Sequence, residues 1–168
     1  MLYCEKVACY SREKEYRMHI CSIDSLSQEY IGEYGKGTVT KMLGLAAGSK
    51  DLYVNIDILP PGTHGSKYHS HTLQEEFFIV LEGEGELRLA DRTVKVGPGD
   101  FFSKRSGVAN AHQFYNSGST PLRILDIGTV VDGDLCYYPD EDVYMVKALG
   151  QAFKRVSALE DWSSDPDA

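Results

Sequence analysis

Tyr68-His69-Ser70-His71-Thr72-Leu73-Gln74-Glu75-Glu76-Phe77-Phe78-Ile79-Val80-Leu81-Glu82-Gly83 joins two short strands through a polar turn. Side chains two apart on a strand share a face, so the imidazoles of His69 and His71 aim the same way. Glu76 stands at an odd spacing from His71, and on one unbroken strand it would face the opposite side. The polar run Thr72-Leu73-Gln74-Glu75 supplies a turn that resets the register. Glu76, Phe78 and Val80 then line one face of the next strand, with Glu76 beside the histidines. Glu75 is the alternative carboxylate, and the phase with Phe78 and Val80 favours Glu76.

Outward from this segment, short apolar runs alternate with glycine and proline. Leu52 to Leu59 reads as a strand ended by Pro60-Pro61-Gly62. Tyr68 to His71, Glu76 to Leu81, Glu86 to Leu89, Thr93 to Val96, Phe101 to Lys104, His112 to Tyr115 and Leu122 to Ile127 continue the series. Glu82-Gly83-Glu84-Gly85-Glu86, Ala90-Asp91-Arg92 and Gly97-Pro98-Gly99-Asp100 provide the turns. Short strands at this spacing predict an all-β sandwich or barrel. The Glu82–Glu86 stretch reads as a hairpin turn; its carboxylates would repel a phosphate, and no helix follows.

His112, Phe114 and Asn116 share a face of one later strand. Only a closed fold brings His112 to His69, His71 and Glu76. Three neutral imidazoles with one carboxylate suit one divalent transition metal: Mn, Fe, Co, Ni, Cu or Zn. In an octahedral shell two positions stay open for water or a bidentate ligand, and the ion acts there as a Lewis acid. His64, on the loop after Pro-Pro-Gly, and His19 read as bland. Lys104, Arg105, Arg88, Tyr68, Gln113 and Tyr115 lie on or near the strands. Each alone reads as a solvated strand-face group. Of these, Arg88, Arg105, Tyr68, Gln113 and Tyr115 are the candidates to orient a ligand at the barrel mouth, arginine suiting a carboxylate or phosphate.

These motifs resemble the cupin superfamily. Pro61-Gly62 followed by His69-x-His71-x4-Glu76-x6-Gly83 looks like the first cupin motif, and Gly97-Pro98-Gly99-Asp100 followed by His112-x3-Asn116 looks like the second. The second departs from the usual pattern. Arg105 stands where proline is common, and a longer loop separates Gly107 from His112. The resemblance spans residues 45 to 131. It implies a cupin-type double-stranded β-helix, a jelly-roll barrel, with an N-terminal extension over 1–44 and a C-terminal extension over 132–168. Leu43 to Gly62 and the tail Tyr137-Tyr138-Pro139-Asp140 also look like small bacterial cupins of unassigned activity, some labelled sugar-phosphate isomerases.

The remaining composition fits one globular domain plus modest extensions: 168 residues, 42% apolar, 25% charged. A net charge of −8 disfavours nucleic acid and anionic membranes, which call for basic patches. The longest apolar run, Phe77 to Leu81, is far short of the ~20 residues of a membrane span. The opening Met1-Leu2-Tyr3-Cys4-Glu5-Lys6 lacks the pattern of a secretory signal. Cys4, Cys9, Cys21 and Cys136 form no C-x-x-C pair and read as reduced thiols in a cytoplasmic protein. Ser25 to Tyr34 is expected to hold a helical turn or two with Ser25 or Ser27 as cap, and Val156 to Trp162 a short helix capped by Ser157.

Three functions compete at this level. The first is a metal-dependent enzyme on a small oxygen-rich metabolite, a sugar phosphate or organic acid. Its reaction would be isomerisation through an enediolate, decarboxylation or dioxygenase cleavage. An isomerase needs a base near the metal; His64, Glu75 or a tyrosine would serve. The second is a non-catalytic module that binds or senses a small ligand. The third is a structural barrel with an empty site, against which the complete ligand set argues. A two-fold homodimer is expected because open sheets leave edges to cover.

Overall fold

A computed structural model describes residues 18–157. Its largest sheet has six strands in the order β1-β2-β3-β10-β5-β8: β1 Ile31–Tyr34, β2 Thr38–Met42, β3 Leu52–Leu59, β5 Glu76–Glu82, β8 Phe101–Lys104 and β10 Leu122–Thr129. A three-stranded sheet, β7-β6-β9, is built from β6 Gly85–Arg88, β7 Thr93–Val96 and β9 Gln113–Tyr115. A four-stranded sheet, β13-β12-β11-β4, joins β4 Ser70–His71 to β11 Leu135–Tyr138, β12 Val143–Val146 and β13 Gln151–Lys154. All pairings are antiparallel. Single bridges His64–Tyr115 and His69–His112 tie the segment before β4 to β9, so the two smaller sheets continue into one wall. This is the double-stranded β-helix that the sequence predicts.

The central strands β3 and β10 pair along their whole length, from Leu122–Leu59 to Thr129–Leu52. Alternation then sends Leu59, Leu122, Ile124, Phe78 and Val80 inward, where they meet Leu87, Val96 and Phe114 of the three-stranded sheet. Burying each such side chain contributes ~1.5–3 kcal/mol. Asn116, fully buried, closes the end of this core. Its Nδ2 donates to Leu59 O at 2.7 Å and Thr120 O at 2.9 Å, and its Oδ1 accepts from Gly118 N at 2.9 Å. The turn after β5 carries the chain from one sheet to the other. Gly83 has φ +79° there, and a Cβ would collide with Pro121 O.

The structure adds elements that periodicity left out. β1 and β2 extend the large sheet from within segment 1–44, and β11 pairs with β4 from within segment 132–168. A short helix α1, Leu43–Ala47, turns the chain between β2 and β3. Near the expected helical turns stand two 3-10 turns, Ile23–Ser25 and Gln28–Tyr30. Ser27 precedes the second without a side-chain cap bond. Of the helix expected over 156–162, only a 3-10 turn at Arg155–Ser157 is described, and the rest lies outside the described residues, as do Cys4 and Cys9. No helix among the described residues is long and apolar enough to cross a membrane.

Candidate metal centre

Four elements meet at one end of the core. His69 and His112 exchange backbone hydrogen bonds of 3.1 and 2.9 Å, which places their rings 5.0 Å apart. His71, one residue pair along on β4, sets its ring 5.1 Å from that of His69. Glu76 opens β5 facing inward, and its Oε1 lies 3.4 Å from His71 Nε2. One ligand atom each from His69, His71 and Glu76 lies within 4.8 Å of the other two. Ligands bound ~2.1 Å from one ion stand at most ~4.2 Å apart, so a small inward shift closes the set. Glu76 is buried and Glu75 exposed; Glu75 Oε1 accepts from Ser103 Oγ at 3.1 Å outside the site.

The hydrogen bonds behind the rings fix which nitrogen faces inward. His69 Nδ1–H donates to Lys67 O at 2.8 Å. His71 Nδ1–H donates to Asp134 Oδ2 at 2.6 Å. Both arrangements leave Nε2 unprotonated, as a metal ligand requires. His112 Nδ1 is buried with no hydrogen-bond partner among the described residues, an orphaned polar atom of the kind a bound group explains. Burial keeps all three imidazoles neutral: it lowers His69 to about 4, with the His71 and Lys104 charges adding to the effect, and it lowers His71 and His112 too. Burial opposes ionisation of Glu76, but the positive charges around it prevail and hold its carboxyl at about 2. His71 contributes most to this, and Lys104 Nζ meets the second carboxylate oxygen, Oε2.

Behind Glu76 lies a polar chain on the inner face of the large sheet. Tyr53 Oη donates to Glu76 Oε1 at 2.7 Å and lies 3.0 Å from Asp126 Oδ1, while Gln74 Nε2 donates to Glu76 Oε1 at 3.2 Å. Tyr53 has one hydroxyl proton, so contact with both carboxyls is satisfied when Asp126 is itself protonated and donates. Burial does push Asp126 well up, with the Asp57 and Glu76 charges adding to it, and burial raises Asp57 to about 6. Gly128, between Tyr53 and Glu76 in the register, makes this reach possible: a Cβ there would overlap the Tyr53 ring. Thr40 Oγ1 donates to Asp57 Oδ1, and Tyr34 Oη lies 3.1 Å from Thr40 Oγ1.

The strand pairing of β11 with β4 delivers a second supporting group. Asp134 accepts from His71, from Leu73 N at 2.9 Å and from Gln74 N at 3.2 Å, and Lys147 Nζ lies 2.9 Å from its Oδ2. Burial resists its ionisation, yet these donors hold its carboxyl far below the usual range. Cys136, buried and unpaired in any disulfide, puts Sγ 3.6 Å from His71 Nδ1. None of Asp134, Cys136, Tyr53, Asp126 or Gly128 stands at a motif spacing. Only the pairing of distant strands assembles them.

The five expected mouth residues lie elsewhere. β9 alternates, so with His112 and Phe114 turned inward, Gln113 and Tyr115 face outward. Gln113 Nε2 donates to Ser66 O at 2.7 Å, and Tyr115 packs on His64 with ring centroids 4.7 Å apart. Arg88 is the register partner of Gln113 on the same outer face. Its guanidinium forks onto Asp140 at 2.7 and 2.8 Å and lies 3.9 Å above the ring of the buried Tyr68. Arg105 is exposed on the loop after β8. Strand alternation thus turns Arg88, Gln113 and Tyr115 away from the ligand set and leaves Tyr68 beneath Arg88 on that outer side. Lys104 is the reverse case, buried against Glu76. His64 is exposed, and His19 bonds Ala46 O at 3.1 Å.

Comparison with known proteins agrees with this architecture. Residues 55–128 match the cupin domain family. The solved sugar phosphate isomerase from Silicibacter pomeroyi, itself described as a cupin, is 27% identical with a TM-score of 0.74, covering 88% of this chain and 98% of its own. A protein from Acidithiobacillus ferrooxidans superimposes with a TM-score of 0.75 at 24% identity over 86% of this chain and 97% of its own. The polyketide cyclase RemF from Streptomyces resistomycificus is 26% identical with a TM-score of 0.57, covering 67% and 80%. Auxin-binding protein T92 of Nicotiana tabacum is 30% identical over 115 residues, 63% of this chain, and the chain spans about 60% of that relative's length. On its β-helix, its two motifs and these matches, the chain has the cupin fold, with a cupin domain over residues 55–128.

Proposed function

We propose that the protein binds one divalent transition metal on His69, His71, Glu76 and His112 and acts as an enzyme on a small oxygen-rich metabolite, a sugar phosphate or an organic acid. The observation that carries the reading is the matched pair of histidine tautomers: His69 and His71 both spend Nδ1–H on a backbone or carboxylate acceptor, which leaves each Nε2 free as a ligand, and His71 Nε2 lies 3.4 Å from Glu76 Oε1. A bound ion supplies Lewis acidity to adjacent substrate oxygens. The chain's own part is to hold the tautomers, exclude water and keep a proton close by. Asp126, protonated and linked through Tyr53 to Glu76, is the buried group best placed to hold that proton. Isomerisation of a sugar phosphate is the reaction favoured by likeness to the Silicibacter pomeroyi enzyme. A second reading, ligand binding without turnover, draws on likeness to the tobacco auxin-binding protein. The proposal extends to a cytoplasmic homodimer, for which light scattering should give twice the 18.7 kDa chain mass.

Metal analysis of protein purified without a metal-affinity tag tests the site. The parent should hold about one equivalent and the His69→Ala, His71→Ala double variant none; equal content in both refutes it. Assays of the loaded protein on aldose and ketose phosphates and on small 2-oxo acids then separate catalysis from retention. A ligand held tightly and recovered unchanged favours the second reading.

A further inference from the structure

Lys104 is the group at this centre whose chemistry the ligand set leaves unexplained. It ends β8 directly across from Glu76, and both side chains are only 5% exposed. Its Nζ meets Glu76 Oε2, and neither atom has any other hydrogen bond among the described residues. The other carboxylate oxygen, Oε1, receives Tyr53 and Gln74 and faces His71. Glu76 is therefore divided, one oxygen toward the histidines and one held by an ammonium. The other nearby cation, Lys147, is matched by Asp134. The next carboxyl along the inner face, Asp126, is kept protonated by burial. Asp57, farther along, is held by Thr40.

We infer that Lys104 cancels the charge of Glu76, so that a divalent ion on His69, His71, Glu76 and His112 keeps its whole charge at the site and the centre selects small oxyanions over neutral ligands. The inference rests on the metal-binding reading and adds the ligand's charge class to it. A carboxylate that satisfies the ion alone would leave a residual single charge. Here three neutral imidazoles and a neutralised carboxylate leave both charges to be met by the incoming ligand. In a desolvated pocket an unmatched charge is costly. 2-Hydroxy- and 2-oxo-carboxylates, which offer two adjacent oxygens with a negative charge, fit this demand.

The test uses the full chain loaded with Co(II), followed by its visible spectrum, with glycolate as the anionic probe and imidazole as the neutral one. Lys104→Met should bind Co(II) at least ~10-fold more tightly and glycolate at least ~10-fold more weakly, because one unit charge a few ångströms away is removed. Imidazole affinity should stay within about twofold. Lys104→Arg, which keeps the charge, should retain the preference for glycolate over imidazole. Lys104→Gln carries the same expectation as Lys104→Met should the latter fail to fold. Unchanged glycolate affinity in the uncharged variant overturns the inference. So does a joint fall of metal and glycolate affinity, which would make Lys104 a mere prop for Glu76. Failure of the parent to take up Co(II) overturns the metal reading itself, before any anion is added.

Discussion

Asp134→Asn removes a charge without removing volume. In the native arrangement Asp134 Oδ2 accepts His71 Nδ1–H at 2.6 Å, while Oδ1 accepts the backbone amides of Leu73 and Gln74 at 2.9 and 3.2 Å. Asparagine can keep its carbonyl oxygen on the two amides, but its NH2 then confronts His71 Nδ1. That contact is satisfied only if Nδ1 becomes an acceptor, which moves the imidazole proton to Nε2 and blocks the atom facing Glu76. Loss of a supporting partner of this kind costs 10–100-fold in metal affinity, or ~1.4–2.7 kcal/mol. Folding suffers separately. Four contacts, those to His71, Lys147 and the two amides, lose their charge assistance at ~1 kcal/mol each, so ~4 kcal/mol is expected. Competition with a chromophoric chelator measures the first effect. Urea denaturation of the metal-free protein in EDTA measures the second. Parent-like metal affinity in a folded Asp134→Asn protein would refute the tautomer argument, whatever its stability.

Other outcomes follow from the same geometry. Gly128→Ala should destabilise the protein by ~1–3 kcal/mol through overpacking on Tyr53, and most of that cost should vanish in a Tyr53→Ala background; equal costs in both backgrounds, by urea denaturation, would show that the ring is not the obstacle. Metal-free protein should lose stability as pH falls from ~6.5 through about 4, because the unfolded chain takes up protons that His69, held at about 4 in the folded protein, refuses. Melting temperatures in chelator at several pH values between these limits should climb with pH, and a flat profile contradicts the burial of the imidazoles. Arg88→Ala should cost no more than ~1 kcal/mol, the range of an exposed ion pair, and should leave metal affinity unchanged; a tenfold loss of metal would place Arg88 back at the site.

The fold was legible where alternation and turn chemistry agreed. Thr93–Val96 and Phe101–Lys104 appear with the bounds that their flanking turns imply, and the reset between His71 and Glu76 appears where a polar turn is required. β1, β2 and β11 to β13 were not legible: β1, β2 and β13 mix polar and apolar residues, and β11 (LCYY) and β12 (VYMV) carry no polar–apolar alternation, so their pairing depends on neighbours elsewhere in the fold. At the site, spacing along one strand suggested the histidines and Glu76. It misjudged Lys104, which looks like any surface lysine until the register sets it across from Glu76. Gln113 and Tyr115 face outward for a simpler reason: they are neighbours of inward residues. Asp134 was invisible because its meaning comes from a partner 63 residues away.

That last contact has a temporal side. During synthesis domains form from the N-terminus onward, and the stretch 55–128 that matches the cupin domain family precedes the acid that orients His71. A nascent chain that ends within this stretch lacks Asp134, which leaves His71 free to exchange between tautomers. At the proposed centre, ion capture would then be gated by completion of the polypeptide: the late-arriving strand β11, which pairs with β4, acts as a latch, and a product truncated before residue 132 would carry a poorly aimed donor.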